Sequence, residues 1–386
     1  MNRIYLDNSA TTVISKEALA AVNEAYEKFG NPSSLHSLGV AASKVVRDAS
    51  DSLISLLSRD RLSGNIIFTS GGTESNSLAL LGAYHSKKRK QGDTLIISDS
   101  EHASVEESAR YLESLGVNVV RVPTVCGALD LDFLAANLNS TVYMISIMSV
   151  NNETGAVYDV GGAFSKAKKF NPDIITHTDA VQAFGKLPIS AEKLKADMIT
   201  VSSHKVHGPM GVGALYVSKE IIKTRRLVPT VHGGGQMLGY RSGTENYPGI
   251  AGFGAACKYL KTDLLADARK ITAVREYAVS ALRELDVKLN LPQNAAPHIL
   301  SVTLPGIKSE VMLHYLSSAG IYVSSGSACS SNTPKTSGAL KTFGLSAFDA
   351  DCTIRISLGN DNKNEDIDCL IEVLSEGIRT LVKRKK

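Results

Sequence analysis

Ile174-Ile175-Thr176-His177-Thr178-Asp179-Ala180-Val181-Gln182 and, about one helical segment later, Met198-Ile199-Thr200-Val201-Ser202-Ser203-His204-Lys205-Val206-His207-Gly208-Pro209 follow one plan: a short apolar run that ends in chemically active side chains. Such runs read as strands buried on both faces, and two of them separated by a helical segment make the unit of a parallel sheet. The plan repeats from Ser15 to about Tyr247. Ile66-Ile67-Phe68-Thr69, Thr94-Leu95-Ile96-Ile97-Ser98, Val117-Asn118-Val119-Val120 and Val142-Tyr143-Met144-Ile145-Ser146 are further runs, with helical periods at Glu74 to Tyr84 and Ser104 to Leu115. The expected fold is α/β, a mostly parallel sheet covered by helices on both sides, with ligands at the carboxyl ends of its strands.

After Gly249 the texture changes. A long helical stretch from Ile250 to Leu285, with an expected break near Thr262-Asp263, leads to strand patterns at His298 to Leu304 and Thr353 to Leu358 and a last helix near Asp366 to Val382. This predicts a large domain over 16–250 and a smaller α+β domain formed by 1–15 with 251–386. The stretch Ser324 to Gly338 is small and polar, which predicts a mobile loop, and it carries Cys329.

Composition narrows the class. At 386 residues, 43% hydrophobic and 21% charged, the chain is long enough for two sizeable cores. Lys+Arg 42 against Asp+Glu 38 leaves +4, spread evenly except for Lys383-Arg384-Lys385-Lys386, and aromatic residues make up 6%. No basic stripe with interleaved aromatics argues for nucleic acid. The start lacks a basic region followed by an apolar run, and no uncharged stretch is long enough to span a bilayer, so a soluble cytoplasmic protein is expected. Five cysteines with no C-x-x-C predict free thiols rather than disulfides or a metal site. Cys126, Cys257 and Cys369 are expected as small buried hydrophobes.

The chemistry gathers at strand ends. Lys205, at the end of a buried strand, is placed to act as an amine nucleophile, and Asp179, at the end of another, needs a cationic partner. A lysine and a carboxylate so placed are what pyridoxal phosphate requires, the second for its pyridine nitrogen. Thr69-Ser70-Gly71-Gly72-Thr73-Glu74 joins a strand to a helix, so backbone N–H groups and the Thr73 hydroxyl face an anion, with Ser202 and His204 as further donors. Gln182 lies three residues beyond Asp179, on the side of the ring oxygen. His102, after the run Thr94 to Ser98, can stack on a planar ring and move protons. Asn152 sits in the polar cluster Asn151 to Gly155, where turn chemistry is an equal alternative. Arg355 alternates with Ile354 and Ile356, and its planar fork suits a carboxylate; a surface arginine on an edge strand is the competing reading.

These residues carry a resemblance. Tyr5-Leu6-Asp7-Asn8-Ser9-Ala10-Thr11-Thr12, Gly30-Asn31-Pro32-Ser33-Ser34-Leu35-His36, Gly71-Gly72-Thr73-Glu74-Ser75-Asn76, Glu101-His102, Asn151-Asn152-Glu153, Asp179 with Gln182, His204-Lys205, Arg241-Ser242-Gly243-Thr244, Ser325-Gly326-Ser327-Ala328-Cys329 and Arg355-Ile356-Ser357-Leu358-Gly359 occur in order. The chain resembles the cysteine desulfurases of the NifS/IscS type, fold-type I pyridoxal phosphate enzymes. The resemblance implies a seven-stranded large-domain sheet, Lys205 as the Schiff-base lysine, Asp179 on the pyridine nitrogen, Gln182 on the ring oxygen and His102 over the ring. It further implies Gly72, Thr73, Ser202 and His204 on the phosphate, helped by Thr244 from the second subunit of a homodimer. Asn152 and Arg355 hold the substrate carboxylate, Cys329 takes the sulfur, and no metal is involved. Related sequences carry lysine where this chain has Met210 and glutamate where it has Met237.

The implied activity converts L-cysteine to L-alanine, with sulfur left on Cys329 as a persulfide for an acceptor such as an iron–sulfur scaffold or a tRNA-thiolation protein. A selenocysteine lyase or related aminotransferase would share the lysine-centred apparatus. A non-catalytic scaffold that retains the fold is the third reading.

Overall fold

The computed structural model describes residues 3–86, 92–326 and 338–382, with backbone alone for 261–265 and 382. A seven-stranded sheet has the order Gly64–Thr69, Gly213–Ser218, Met198–Ser202, Ile175–Asp179, Val142–Ser146, Thr94–Ser98, Asn118–Val122. Gly213–Ser218 runs antiparallel to both its neighbours, and the other pairings are parallel. Successive residues serve opposite faces. Phe68, Ile96 and Ile145 enter one core, while Ile67, Leu95, Ile97 and Met144 enter the other. Asn118–Val122, at the sheet edge, is only partly buried, so it is not the two-faced strand its apolar run suggests.

His177 fastens three strands at the centre of this sheet. Its Nδ1 lies 2.8 Å from Ser146 Oγ and its Nε2 3.0 Å from Thr200 Oγ1. Burial pushes its pKa down to about 3, so the ring is neutral and takes part through hydrogen bonds alone.

One expectation about the helices is corrected. Tyr247–Leu282 is one continuous helix with no break at Thr262-Asp263. It starts at Asn246, whose side chain accepts from Gly249 N, and packs along the helices Lys16–Glu27 and Ser37–Leu57. The fit is close: a Cβ on Gly254 would come 2.7 Å from the Ala49 Cβ, and one on Gly252 would come 2.6 Å from Val22 Cγ2. Packing along its length keeps the helix whole where local polarity suggests an interruption. The strand Gly213–Ser218 adds to the runs expected from the sequence. Among the cysteines, Cys257 is buried as expected, but Cys126 and Cys369 are exposed. Cys126 sits in a tight turn at φ 48°, and Cys369 falls on the outer face of the last helix, Asn364–Val382. Cys329 lies outside the described residues.

A second, four-stranded sheet has the order Lys288–Leu289, Ile299–Thr303, Thr353–Ser357, Ser324–Ser325, all antiparallel. Ile4 and Leu6 from the start of the chain join its core with Ile354, Ile356, Leu358, Leu370 and Leu374. The start also crosses to the other sheet, where Thr12 N donates to His204 O at 2.9 Å.

Candidate active site

The carboxyl ends of the central strands open on a cavity of about 300 Å³. Gly72, Thr73, His102, Asn152, Asp179, Gln182, Ser202, His204, Lys205 and Arg355 all line it. Two of the named residues are not among them: Thr244 lies on an exposed segment away from the cavity, and Cys329 falls outside the described residues.

Asp179 ends the strand Ile175–Asp179 and is buried. Its Oδ2 accepts from Asn76 Nδ2 at 2.7 Å and its Oδ1 from Val181 N at 2.9 Å. Among the described residues no salt bridge reaches it. A carboxylate removed from water with amide donors but no cation has an unmet requirement for positive charge facing the cavity.

Lys205 closes the 3-10 turn Ser203–Lys205 that follows the strand Met198–Ser202. Its Nζ donates to Ser9 O at 2.6 Å and to Ala10 O at 2.7 Å, so the N-terminal segment supports the amine. Neighbouring His204 is held neutral: burial first, and then the charge of Lys205, lower its pKa to about 4. Its Nδ1 is 3.2 Å from Thr11 Oγ1.

Across the cavity, the helix Gly72–His85 begins at Gly71 with no side-chain cap. Its first N–H groups therefore lack a side-chain acceptor at the wall of the cavity that Ser202 and His204 also line, which suits a phosphate. Glu74, next to Thr73, is turned away: it accepts from Ser70 N at 2.7 Å and pairs with Arg241 at 2.9 Å.

His102 has two tasks in the structure. His102 caps the helix Ala103–Ser114, its Nδ1 accepting from Ser104 N at 3.1 Å, while its ring lines the cavity. The Asn151-Asn152 pair divides the two roles. Asn151 Oδ1 makes the turn, accepting from Glu153 N and Thr154 N, and Asn152 lines the cavity. Arg355 is buried on a central strand of its sheet, not on an edge. It donates to Asp7 Oδ1 at 2.9 Å and to Asn152 O at 3.0 Å.

An amine, an unpaired carboxylate, an uncapped helix end and a buried guanidinium around one space match the groups of pyridoxal phosphate and an amino acid. The family model for aminotransferase class-V matches residues 4–370. The chain belongs to the aminotransferase class-V family. Pyridoxal phosphate is the cofactor of this family, and the fold is that of its fold-type I members. Within the family the chain is similar to cysteine desulfurases. It is 35% identical to "Cysteine desulfurase IscS 1" of Archaeoglobus fulgidus over 98% of this chain and 97% of that one. It is 37% identical to a cysteine desulfurase of Sinorhizobium fredii over 99% and 98%. Among solved structures, a NifS-like protein superposes with a TM-score of 0.90 at 34% identity, covering 98% of this chain and 100% of that one. A structure titled "SspA in complex with cysteine" superposes at 0.80 with 32% identity over 93% and 99%.

Sequence reasoning passed over the residues behind the front line. Asn76, Ser104 and Asp7 each hold a named site residue by a hydrogen bond. Asn76 carried a usable signal, since it stands three residues after Thr73 on a helix and so shares its face.

Proposed function

We propose that the chain is a cysteine desulfurase that takes sulfur from L-cysteine, releases L-alanine and carries the sulfur on Cys329 as a persulfide to an acceptor. The observation that carries this reading is the meeting of Lys205, Asp179 and Arg355 around one cavity. Bound pyridoxal phosphate supplies an electron sink that accepts the electron pair left when the substrate Cα loses its proton.

The protein's own groups do the rest. Lys205 Nζ would hold the cofactor aldehyde and would serve as the base for the substrate Cα proton. Asp179 would face the ring nitrogen and Gln182 the ring oxygen. Gly72, Thr73, Ser202 and neutral His204 would donate to the phosphate. Arg355 and Asn152 hold the substrate carboxylate, so the Cα–H bond is oriented before the proton moves. His102 would stack on the ring and present its imidazole to the reacting atoms. The Cys329 thiolate attacks the substrate sulfur: an S–S bond forms, the C–S bond breaks, the carbon keeps that bond's electron pair, and protonation gives alanine.

The assembly belongs to the same proposal. Tyr26, Phe29, Leu35, Leu38 and Val40, on the first two helices and the segment between them, together with Met210 and Leu238, are exposed apolar side chains that a second copy would cover in a homodimer. Thr244 would then reach the partner's phosphate site. Residues 16–250 form the large domain, and 1–15 with 251–386 the smaller one that bears Cys329. The sulfur acceptor is an iron–sulfur scaffold or a tRNA-thiolation protein, and the location is the cytoplasm; no helix among the described residues is long and apolar enough to cross a membrane.

The deciding experiment is turnover with cysteine by the wild type and by Cys329→Ala. The variant is expected to keep the absorbance band of the lysine-bound cofactor and to lose alanine release and protein persulfide. Alanine and persulfide at the wild-type rate would remove Cys329 from the mechanism. Loss of the band in Lys205→Ala tests the other half of the site.

A further inference from the structure

Asn76 lies beneath the cavity on the helix Gly72–His85, buried to 1% exposure. Its Nδ2 is 2.7 Å from Asp179 Oδ2 and 2.8 Å from Ser104 Oγ. A carboxylate only accepts, so the amide nitrogen, not the oxygen, must face Asp179, and both amide hydrogens are then used. The amide oxygen is buried with no hydrogen-bond partner. That arrangement is costly unless the two donations matter more than the lost acceptance.

The direction of the chain of hydrogen bonds follows. Ser104 Oγ accepts from Asn76, so its own proton goes to another acceptor, and His102 Nδ1 lies 2.9 Å away. The Ser104 backbone N–H, which can only donate, also points at His102 Nδ1, at 3.1 Å. Nδ1 is therefore an acceptor twice over. The neutral ring must carry its proton on Nε2, and a proton added at Nδ1 would face two donors.

We propose that Asn76 is a positioning residue that joins Asp179 to His102 through Ser104, holding the carboxylate in place and fixing the imidazole as the Nε2–H tautomer. The proposal rests on the desulfurase reading and divides its proton work. With Nδ1 occupied and the ring neutral, loss of the Nε2 proton would leave an imidazolate, so His102 serves as a hydrogen-bond donor through Nε2–H, and removal of the Cα proton and its return to carbon are left to Lys205.

The test is nitrogen NMR of the holoenzyme labelled with 15N-histidine, the His102 signals being identified from their loss in His102→Gln. In the wild type at about pH 8, His102 is expected to carry its proton on Nε2 alone. In Asn76→Ala and in Ser104→Ala the ring is expected to lose that single form and to show a mixture of the two neutral tautomers. Cofactor retention in Asn76→Ala should fall roughly tenfold, and Ser104→Thr, which keeps the hydroxyl, should restore the wild-type spectrum. If Asn76→Ala does not fold, Ser104→Ala decides, since it removes one oxygen atom.

A wild-type ring protonated on Nδ1, or an unchanged tautomer in Ser104→Ala, would overturn the proposal. These readouts need no turnover. Alanine release without Cys329 would thus defeat the desulfurase reading while leaving this one standing, and a wrong tautomer would do the reverse.

Discussion

Arg355 Nη2 lies 2.9 Å from Asp7 Oδ1, a pairing between residues at opposite ends of the chain. Asp7 is held in turn by Ser324 Oγ, 2.9 Å from its other oxygen, and Arg355 by the Asn152 carbonyl. Arg355 Nε is buried with no hydrogen-bond partner. The guanidinium is thus oriented and charge-balanced before a substrate arrives, with donor capacity left over for a carboxylate. Orientation of this kind lowers the ordering cost of binding, because the long side chain is already fixed.

Asp7→Ala should therefore act on both stability and binding. With one partner removed, the buried Arg355 charge is left uncompensated, at a cost on the order of 2 kcal/mol given that Asp7 keeps some contact with solvent. Urea unfolding measures that loss. Steady-state kinetics should show KM for cysteine raised roughly tenfold with kcat less affected, as expected when a ground-state binding group is misplaced. An unchanged unfolding midpoint together with an unchanged KM would show that the pair contributes nothing.

Glu101 gives the protein an alkaline limit. It is buried, accepts from Ser98 Oγ and Met148 N at one oxygen, and has no partner at the other. Burial pushes its pKa up to about 8. Folded Glu101 therefore keeps a proton that the unfolded chain has lost, and stability falls as pH rises toward about 8, by about 1.4 kcal/mol per pH unit. The buried histidines act in the opposite sense. His177 and His204, with pKa values near 3 and 4, stay neutral while the unfolded chain binds protons below 6.5, so stability falls on acidification. Lys186, lowered to about 8 by burial, adds its own rise only above that value. The unfolding free energy should peak near pH 6.5, and Glu101→Gln should flatten the alkaline side and steepen the rise between about pH 4.5 and 6.5. A Glu101→Gln profile that falls between pH 6.5 and 8 as steeply as the wild type would reject this assignment.

Much of this was legible because it is local. Asp179 and Lys205 each end an apolar run, and the sheet brings neighbouring runs together whatever the rest of the chain does; Asp179 stands opposite Thr200 in the observed register. The Asp7–Arg355 pair could not be read, since 348 residues separate the partners and only the packing of the N-terminal segment on the second sheet joins them. Asn76 was visible as one of a run of small polar residues, but its task depends on Asp179 and Ser104, which come from two other elements. The expected helix break at Thr262-Asp263 failed for a related reason, because local polarity was read without the two helices that pack along Tyr247–Leu282.

Gly213 offers the sharpest test of how the fold shapes the phosphate site. In the antiparallel strand Gly213–Ser218 it stands opposite Thr69 on one side and Ser202 on the other, between the two strand ends that carry the candidate phosphate donors. A Cβ there would meet Gly71 C at 2.5 Å and Gly71 Cα at 2.6 Å, both backbone atoms that cannot rotate aside. Gly213→Ala must therefore push the turn at Gly71 away from Ser202, and with it Gly72 and Thr73. A stability loss of about 2 kcal/mol is expected from the overpacking. Cofactor retention should fall by more than tenfold, since displaced donors lose charge-assisted hydrogen bonds. Gly116→Ala is the control. Its φ of 90° makes a side chain costly there, but a Cβ meets nothing within 4 Å, so it should lower stability by about 1 kcal/mol and leave cofactor binding unchanged. Equal cofactor retention in the two variants, measured by dialysis and absorbance, would mean that the Gly71 turn does not hold the phosphate.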